Sequence, residues 1–159
     1  KALGEKIGGD KEPPKAVVAL PAAGLLPMGI SFTTGDALGI SGVGVGAIGY
    51  YKDGAKRWRT LSVARTDEAA AKDVISTLKK VDGAKALKGT TYDAISFDRR
   101  DDDASPKITW MICRKGDQAF GIGDEEYVVT ATMAAAEVQK VSLTEAEKAE
   151  HLKKLCDAK

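Results

Sequence analysis

Residues 42–49 read Gly-Val-Gly-Val-Gly-Ala-Ile-Gly, and the fold class turns on how they are read. Gly44, Gly46 and Gly49 have the GxGxxG spacing of a dinucleotide-binding turn, which would announce a parallel, doubly wound sheet. That turn needs a strand before it and a long helix after it. Here Tyr50-Tyr51-Lys52-Asp53-Gly54 follows and breaks any helix within a turn or so. The other reading is a strand over Ala37–Tyr51 in which Gly42, Gly44 and Gly46 alternate with Val43, Val45 and Ala47. One face is then bare main chain, suited to close packing or to a partner's approach. We adopt the strand, and with it an antiparallel sheet. Gly42, Gly44, Gly46 and Gly49 become ligand- or partner-contact candidates, and no cofactor is expected.

The elements on either side agree. Upstream, Ala16–Leu20 reads as a short strand stopped by Pro21, and Leu25–Phe32, interrupted by Pro27 and Gly29, as an irregular edge. Downstream, Asp53-Gly54 is a hairpin signal into Arg57–Arg65, where Arg59, Leu61 and Val63 share one face and Trp58, Thr60 and Ser62 the other. Thr66 is placed as the cap of a helix with Ala71, Val74, Ile75, Leu78 and Val81 at helical spacing. Thr90–Asp98 and Lys107–Arg114 read as strands, and Lys115-Gly116-Asp117 turns the chain into Gln118–Ile122. Glu126–Thr132 reads as one more strand, and Met133–Val138 as a short helix or an extended connection. Thr144 and Glu147 form a capping box ahead of a last helix striped by Ala149, Leu152 and Leu155. The layout predicts an α+β fold, a mostly antiparallel sheet with two main helices packed on one face. Lys79–Lys85 and Lys153–Lys159 echo each other, which raises a ββα pseudo-repeat.

The chain has 159 residues, room for one domain and a tail. Residues 1–15 are polar, contain glycine and end near Pro13-Pro14. They read as a flexible tether ahead of a globular domain over 16–159. The first residue is Lys1, so either a leader has been cleaved or the sequence is trimmed; the tether suits an exported or lipid-anchored chain, with a trimmed cytoplasmic chain or a disordered tail as the alternative. Twenty-four basic against 23 acidic side chains give a net charge of +1, a balance that disfavours nucleic acid and electrostatic docking on a membrane surface. Aromatic residues make up only 6% and do not alternate with a basic stripe, so no stacking platform for single strands is built. Cys113 and Cys156 permit one disulfide if the chain is exported; two buried thiols are the alternative.

Candidate chemistry is sparse. Gly83–Thr90 approaches a phosphate loop but has Lys88 and Gly89 transposed and a strand, not a helix, after it. The single histidine, His151, falls on the polar side of the last helix, and Cys156, five residues on, points away from it. Asp98, Asp101, Asp102 and Asp103 crowd one loop. Asp101, Asp102 and Asp103 are the metal-ligand candidates, without the alternation of an EF-hand. Asp124-Glu125-Glu126 is a second acidic turn, and the two turns together would supply carboxylates for acid–base work if they met. The expectation is a non-catalytic binding or accessory module, exported to the periplasm or cell surface of a bacterium, or a small subunit of a larger envelope assembly. Its partner is expected to be another protein. The alternative is a small-ligand-binding protein or an enzyme using the acidic turns at 98–103 and 124–126.

Overall fold

In the computed structural model, which describes residues 12–100, 103, 107–125 and 134–157, seven strands form one antiparallel sheet. In chain order they are β1 (Leu25–Phe32), β2 (Ala47–Asp53), β3 (Lys56–Ala64), β4 (Lys85–Ala86), β5 (Ala94–Arg99), β6 (Ile108–Lys115) and β7 (Gln118–Asp124). Their spatial order is β1-β2-β3-β7-β6-β5-β4. Four helices accompany them: α1 (Lys15–Val18), α2 (Glu68–Leu78), α3 (Ala135–Val141) and α4 (Glu145–Cys156). The fold is therefore α+β with an antiparallel sheet, as the strand–turn pattern predicts.

Both tight hairpins put glycine first in a two-residue loop. Gly54 and Gly116 each take φ +58°, between Asp53↔Lys56 and between Lys115↔Gln118. That is the position where a hairpin whose strands twist right-handed demands positive φ. The expected strand at 126–132 lies outside the described residues.

Successive side chains of each strand enter different layers. Leu61, Val63, Ile95, Phe97, Trp110 and Ile112 pack with Val74, Ile75 and Leu78 of α2. Trp58, Met111, Cys113, Phe120 and Ile122 pack with Leu152 and Cys156 of α4. Met111 and Ile112 are neighbours in β6 yet belong to different cores, so the two main helices cover opposite faces of the sheet and do not share one. Strand periodicity cannot reveal this, because every central strand is apolar on both sides. The internal echo extends to the strands, with a meander β1-β2-β3 facing a meander β7-β6-β5. It stops at the helices. A two-fold axis relating antiparallel β3 and β7 stands normal to the sheet and would keep both helices on one face.

Three further placements differ from the expectation. Lys15–Val18 is a turn of helix, not a strand; Pro14 precedes it and Pro21 follows the buried Leu20. Strand β2 begins only at Ala47, because Gly42 and Gly44 take φ +89° and +87°, left-handed values that break the regular extended run. The cap of α2 is Asp67 and not Thr66, its carboxylate accepting the Ala70 N–H at 2.8 Å. The capping box at Thr144 and Glu147 stands as read.

Candidate functional site

The glycine stretch is the first place to look for a ligand, and its donors are already engaged. Oδ1 of Asp36 accepts the N–H groups of Gly42 and Gly44 at 3.2 and 2.7 Å. An internal carboxylate thus occupies the position an anion would take. Gly46 is clasped by Thr33, whose N–H and hydroxyl donate to the Gly46 carbonyl at 2.8 and 3.0 Å and whose hydroxyl accepts the Gly46 N–H at 2.9 Å. A Cβ on Gly46 would stand 2.9 Å from the Ser62 carbonyl oxygen and 3.2 Å from the Ala37 Cβ. One on Gly49 would stand 2.7 Å from the Tyr51 ring. The bare main chain here receives other segments of the same chain.

The acidic turns lie at one end of the sheet without sharing a cavity among the described residues. Asp98 accepts the Thr109 hydroxyl at 2.8 Å on β5, while the Asp124 carboxylate pairs at 2.8 Å with the Lys148 ammonium of α4. That pair is buried on both sides, and Lys148 Nζ also reaches the Thr109 carbonyl at 3.4 Å. Asp103 is exposed, and Asp101, Asp102 and Glu126 lie outside the described residues. No group of three or more His, Cys, Asp or Glu side chains suited to a metal ion occurs among the described residues.

Cys113 of β6 and Cys156 of α4 form a disulfide, with Cα atoms 6.2 Å apart. It fastens the last turn of α4 to the sheet and closes 43 residues of chain, about 4 kcal/mol in the loop-entropy account.

A cleft of about 520 Å³ lies along the face that α4 partly covers. Its walls come from the segment before β1 (Pro21, Ala23 and Gly24), from Tyr51 and Trp58 on β2 and β3, and from His151 and Lys154 on α4. Tyr51 stacks on Trp58 with ring centres 5.7 Å apart and planes 14° apart. His151 sits against the other partner of that stack, 4.5 Å from the Trp58 ring. The Tyr51 hydroxyl donates to the Pro21 carbonyl at 2.7 Å, and burial pushes its pKa up to about 12, so it stays a neutral donor. Burial also lowers the His151 pKa, with the neighbouring Lys154 adding to it. The carboxylates of Glu147, Asp53 and Glu150 pull the other way. The net effect favours the neutral imidazole.

This triplet of rings escapes a reading along the chain. Tyr51 and Trp58 face each other only because the Asp53–Lys56 hairpin pairs them across β2 and β3. His151 looks solvent-facing on a helical wheel but is half-buried against a sheet the wheel does not contain. The one legible hint was the shared face of Trp58, Thr60 and Ser62.

The exposed large hydrophobic side chains among the described residues are Val18, Met28, Ile30, Phe32 and Val45. All come from α1, from β1 or from the glycine loop that runs into β2. Among the described residues β1 is an edge of the sheet; Ile30 and Phe32 alternate in its regular part, and Met28 stands in the irregular part at φ +54°. The glycine-rich segment itself is not an edge, since β2 is paired on both sides. No helix of the described residues is long and apolar enough to cross a membrane. No family model, no curated protein and no solved structure matches this chain.

Proposed function

We propose that this chain is a non-catalytic binding module of the bacterial cell envelope, an exported accessory subunit that holds another protein against the β1 edge. The observation that carries the reading is the gathering of exposed apolar side chains there. Met28 is fully exposed, Val18, Ile30, Phe32 and Val45 are substantially so, and no large apolar side chain is exposed elsewhere among the described residues. An exposed apolar row on a strand paired along one side only among the described residues costs solubility and invites strand addition. The register irregularity between Leu25 and Ile30 leaves Ile30–Phe32 as the regular part of the ladder, which limits the pairing to a short segment. The disulfide supports an oxidising compartment for the mature chain.

A photo-crosslinking side chain at Phe32, introduced in the producing cell, should give one adduct of defined mass. The same group at Lys88, on the far side of the sheet, should give none. Ile30→Lys should abolish the Phe32 adduct with the melting temperature unchanged. Absence of a Phe32 adduct, or an adduct indifferent to Ile30→Lys, overturns the reading.

A second reading, a small-ligand carrier, is favoured by the aromatic cleft. Tyr51, Trp58 and a neutral His151 offer ring faces and edges to a flat solute, with Lys154 and Asp53 at the rim. Saturable quenching of Trp58 by a planar aromatic solute, lost in His151→Ala, distinguishes it from the edge reading.

A further inference from the structure

On the opposite face from the aromatic cleft, we propose, the chain binds a small carboxylate with a short apolar body in a pocket built on two arginines, Arg59 and Arg99. The pocket, about 130 Å³, is lined by Leu38, Ile48, Arg59, Arg99, Ile108 and Trp110. It does not rest on the β1 reading.

Arg59 is only 8% exposed. Its guanidinium lies 5.0 Å over the Trp110 ring, and its Nε donates to the Asp124 main-chain carbonyl at 2.9 Å. The Asp124 carboxylate is turned to the other face and taken by Lys148. Arg99 is half-buried, and its Nε is shut off from solvent with no hydrogen-bond partner among the described residues. Neither arginine forms an ion pair with a described carboxylate. Asp98, next to Arg99 in sequence, accepts the Thr109 hydroxyl, and Asp36 accepts the glycine N–H groups; Asp101 and Asp102 lie outside the described residues. Withdrawing a guanidinium from water without a paired carboxylate is unfavourable, and two lining one cavity are stabilised together by one anion that both can fork.

The surroundings are shaped for this. Trp110 lies flat because β7 offers glycine beneath it: a Cβ on Gly123 would stand 2.6 Å from the ring. The Arg59 guanidinium then stands over the indole. Above, the turn at Ala37–Gly39 carries Leu38 at φ +58°, a strained value for leucine, and Gly39 at φ +62°. A Cβ on Gly39 would approach the Arg99 Nη2 to 3.0 Å, so the main chain there fits closely over the guanidinium.

Four of the six lining side chains are apolar, which selects an organic acid over a fully hydrated inorganic ion. The volume is that of about four waters in the liquid, which restricts the guest to a small acid. Arg99 also lines a second cleft of about 340 Å³ with Arg100 and Lys107, where three basic side chains outnumber the carboxylates of Asp82 and Asp98.

The test is titration of the purified chain, in a Trp58→Phe background so that Trp110 reports alone, with sodium butyrate, sodium phosphate and sodium chloride at matched ionic strength. Butyrate should change the fluorescence saturably and raise the melting temperature; phosphate and chloride should do neither. Arg99→Gln should weaken butyrate binding by about tenfold or more, the loss of a charge-assisted contact. Because Arg99 has no hydrogen-bond or ion-pair partner among the described residues, that variant should fold, and it should melt no lower than its parent without butyrate. Arg59→Lys, which keeps the charge and loses the fork, should weaken binding as well. An equal response to phosphate or chloride, no saturable response to butyrate, or undiminished binding in Arg99→Gln each overturns the proposal.

Discussion

At the scale of single residues, the glycines repay the closest reading, because three of them are required for three different reasons. Gly44 is required by conformation, at φ +87° with its N–H on Asp36. Gly46 is required by space, since its missing Cβ leaves room for the Ser62 carbonyl, Val63 and Ala37. Gly123 is required by a neighbour, the Trp110 ring. Gly46→Val should therefore cost about 2 kcal/mol or more by overpacking, read as a fall in the midpoint of urea unfolding. A variant within about 0.5 kcal/mol of the parent would mean that the segment can move away. His151 carries a second residue-scale prediction. As the only histidine it gives a single imidazole titration by NMR, and its midpoint should fall below the ordinary 6.5. The sign follows from linkage. A histidine that resists protonation when folded contributes stability above its unfolded pKa of about 6.5, and loses that contribution as the pH falls through the lower folded value. His151→Phe should accordingly flatten the loss of melting temperature between about pH 7 and 5.5.

At the scale of elements, much was legible in the sequence where a local rule sets the structure. The Asp53-Gly54 and Lys115-Gly116-Asp117 turns fix two hairpins. The Thr144–Glu147 box fixes the start of α4, and the apolar spacing of Ala71, Val74, Ile75 and Leu78 fixes the inner side of α2. What escaped depends on partners far along the chain. The opposite placement of α2 and α4 is set by which side of an evenly apolar sheet each helix reaches, and the glycine alternation at 42–46 imitated a strand while serving a left-handed loop. The candidate site was less legible still. Asp124 looked like half of a carboxylate pair and proves to be the counter-charge of Lys148, on an element 24 residues away in sequence. That pair supports an element-scale prediction: Lys148→Met strands a buried carboxylate and should destabilise by about 3 kcal/mol. The double change with Asp124→Asn should recover most of it. Additive losses in the double variant would show that the two side chains act independently.

At the scale of the whole molecule, the sheet divides two cores that are held by different means. The α2 face closes over β5, β6 and β7 through Val74, Ile75 and Leu78, together with Ala37 and Val43 from the glycine loop, without a covalent link. The α4 face rests on Leu143, Leu152 and Cys156 and is pinned by the Cys113–Cys156 bond. α4 is also the more polar of the two helices. Its exposed side carries Glu145, Glu150, Lys153 and Lys154, and its buried residues include the charged Lys148. Its hold on the sheet thus leans on the disulfide more than α2 leans on any single contact. Reduction, or Cys113→Ala with Cys156→Ala, should lower global stability by about 4 kcal/mol in the loop-entropy account. The loss should also be uneven. Amide protons of α4 should exchange faster by a larger factor than those of α2 and β3, because the helix can open locally once its tie to β6 is gone. The cleft should open with it, since His151 and Lys154 leave the Tyr51–Trp58 wall when α4 departs, and Trp58 fluorescence should report that departure before the sheet unfolds. Uniform acceleration of exchange in both helices would instead mean that the two faces unfold as one unit, with the sheet coupling them more tightly than the bond does.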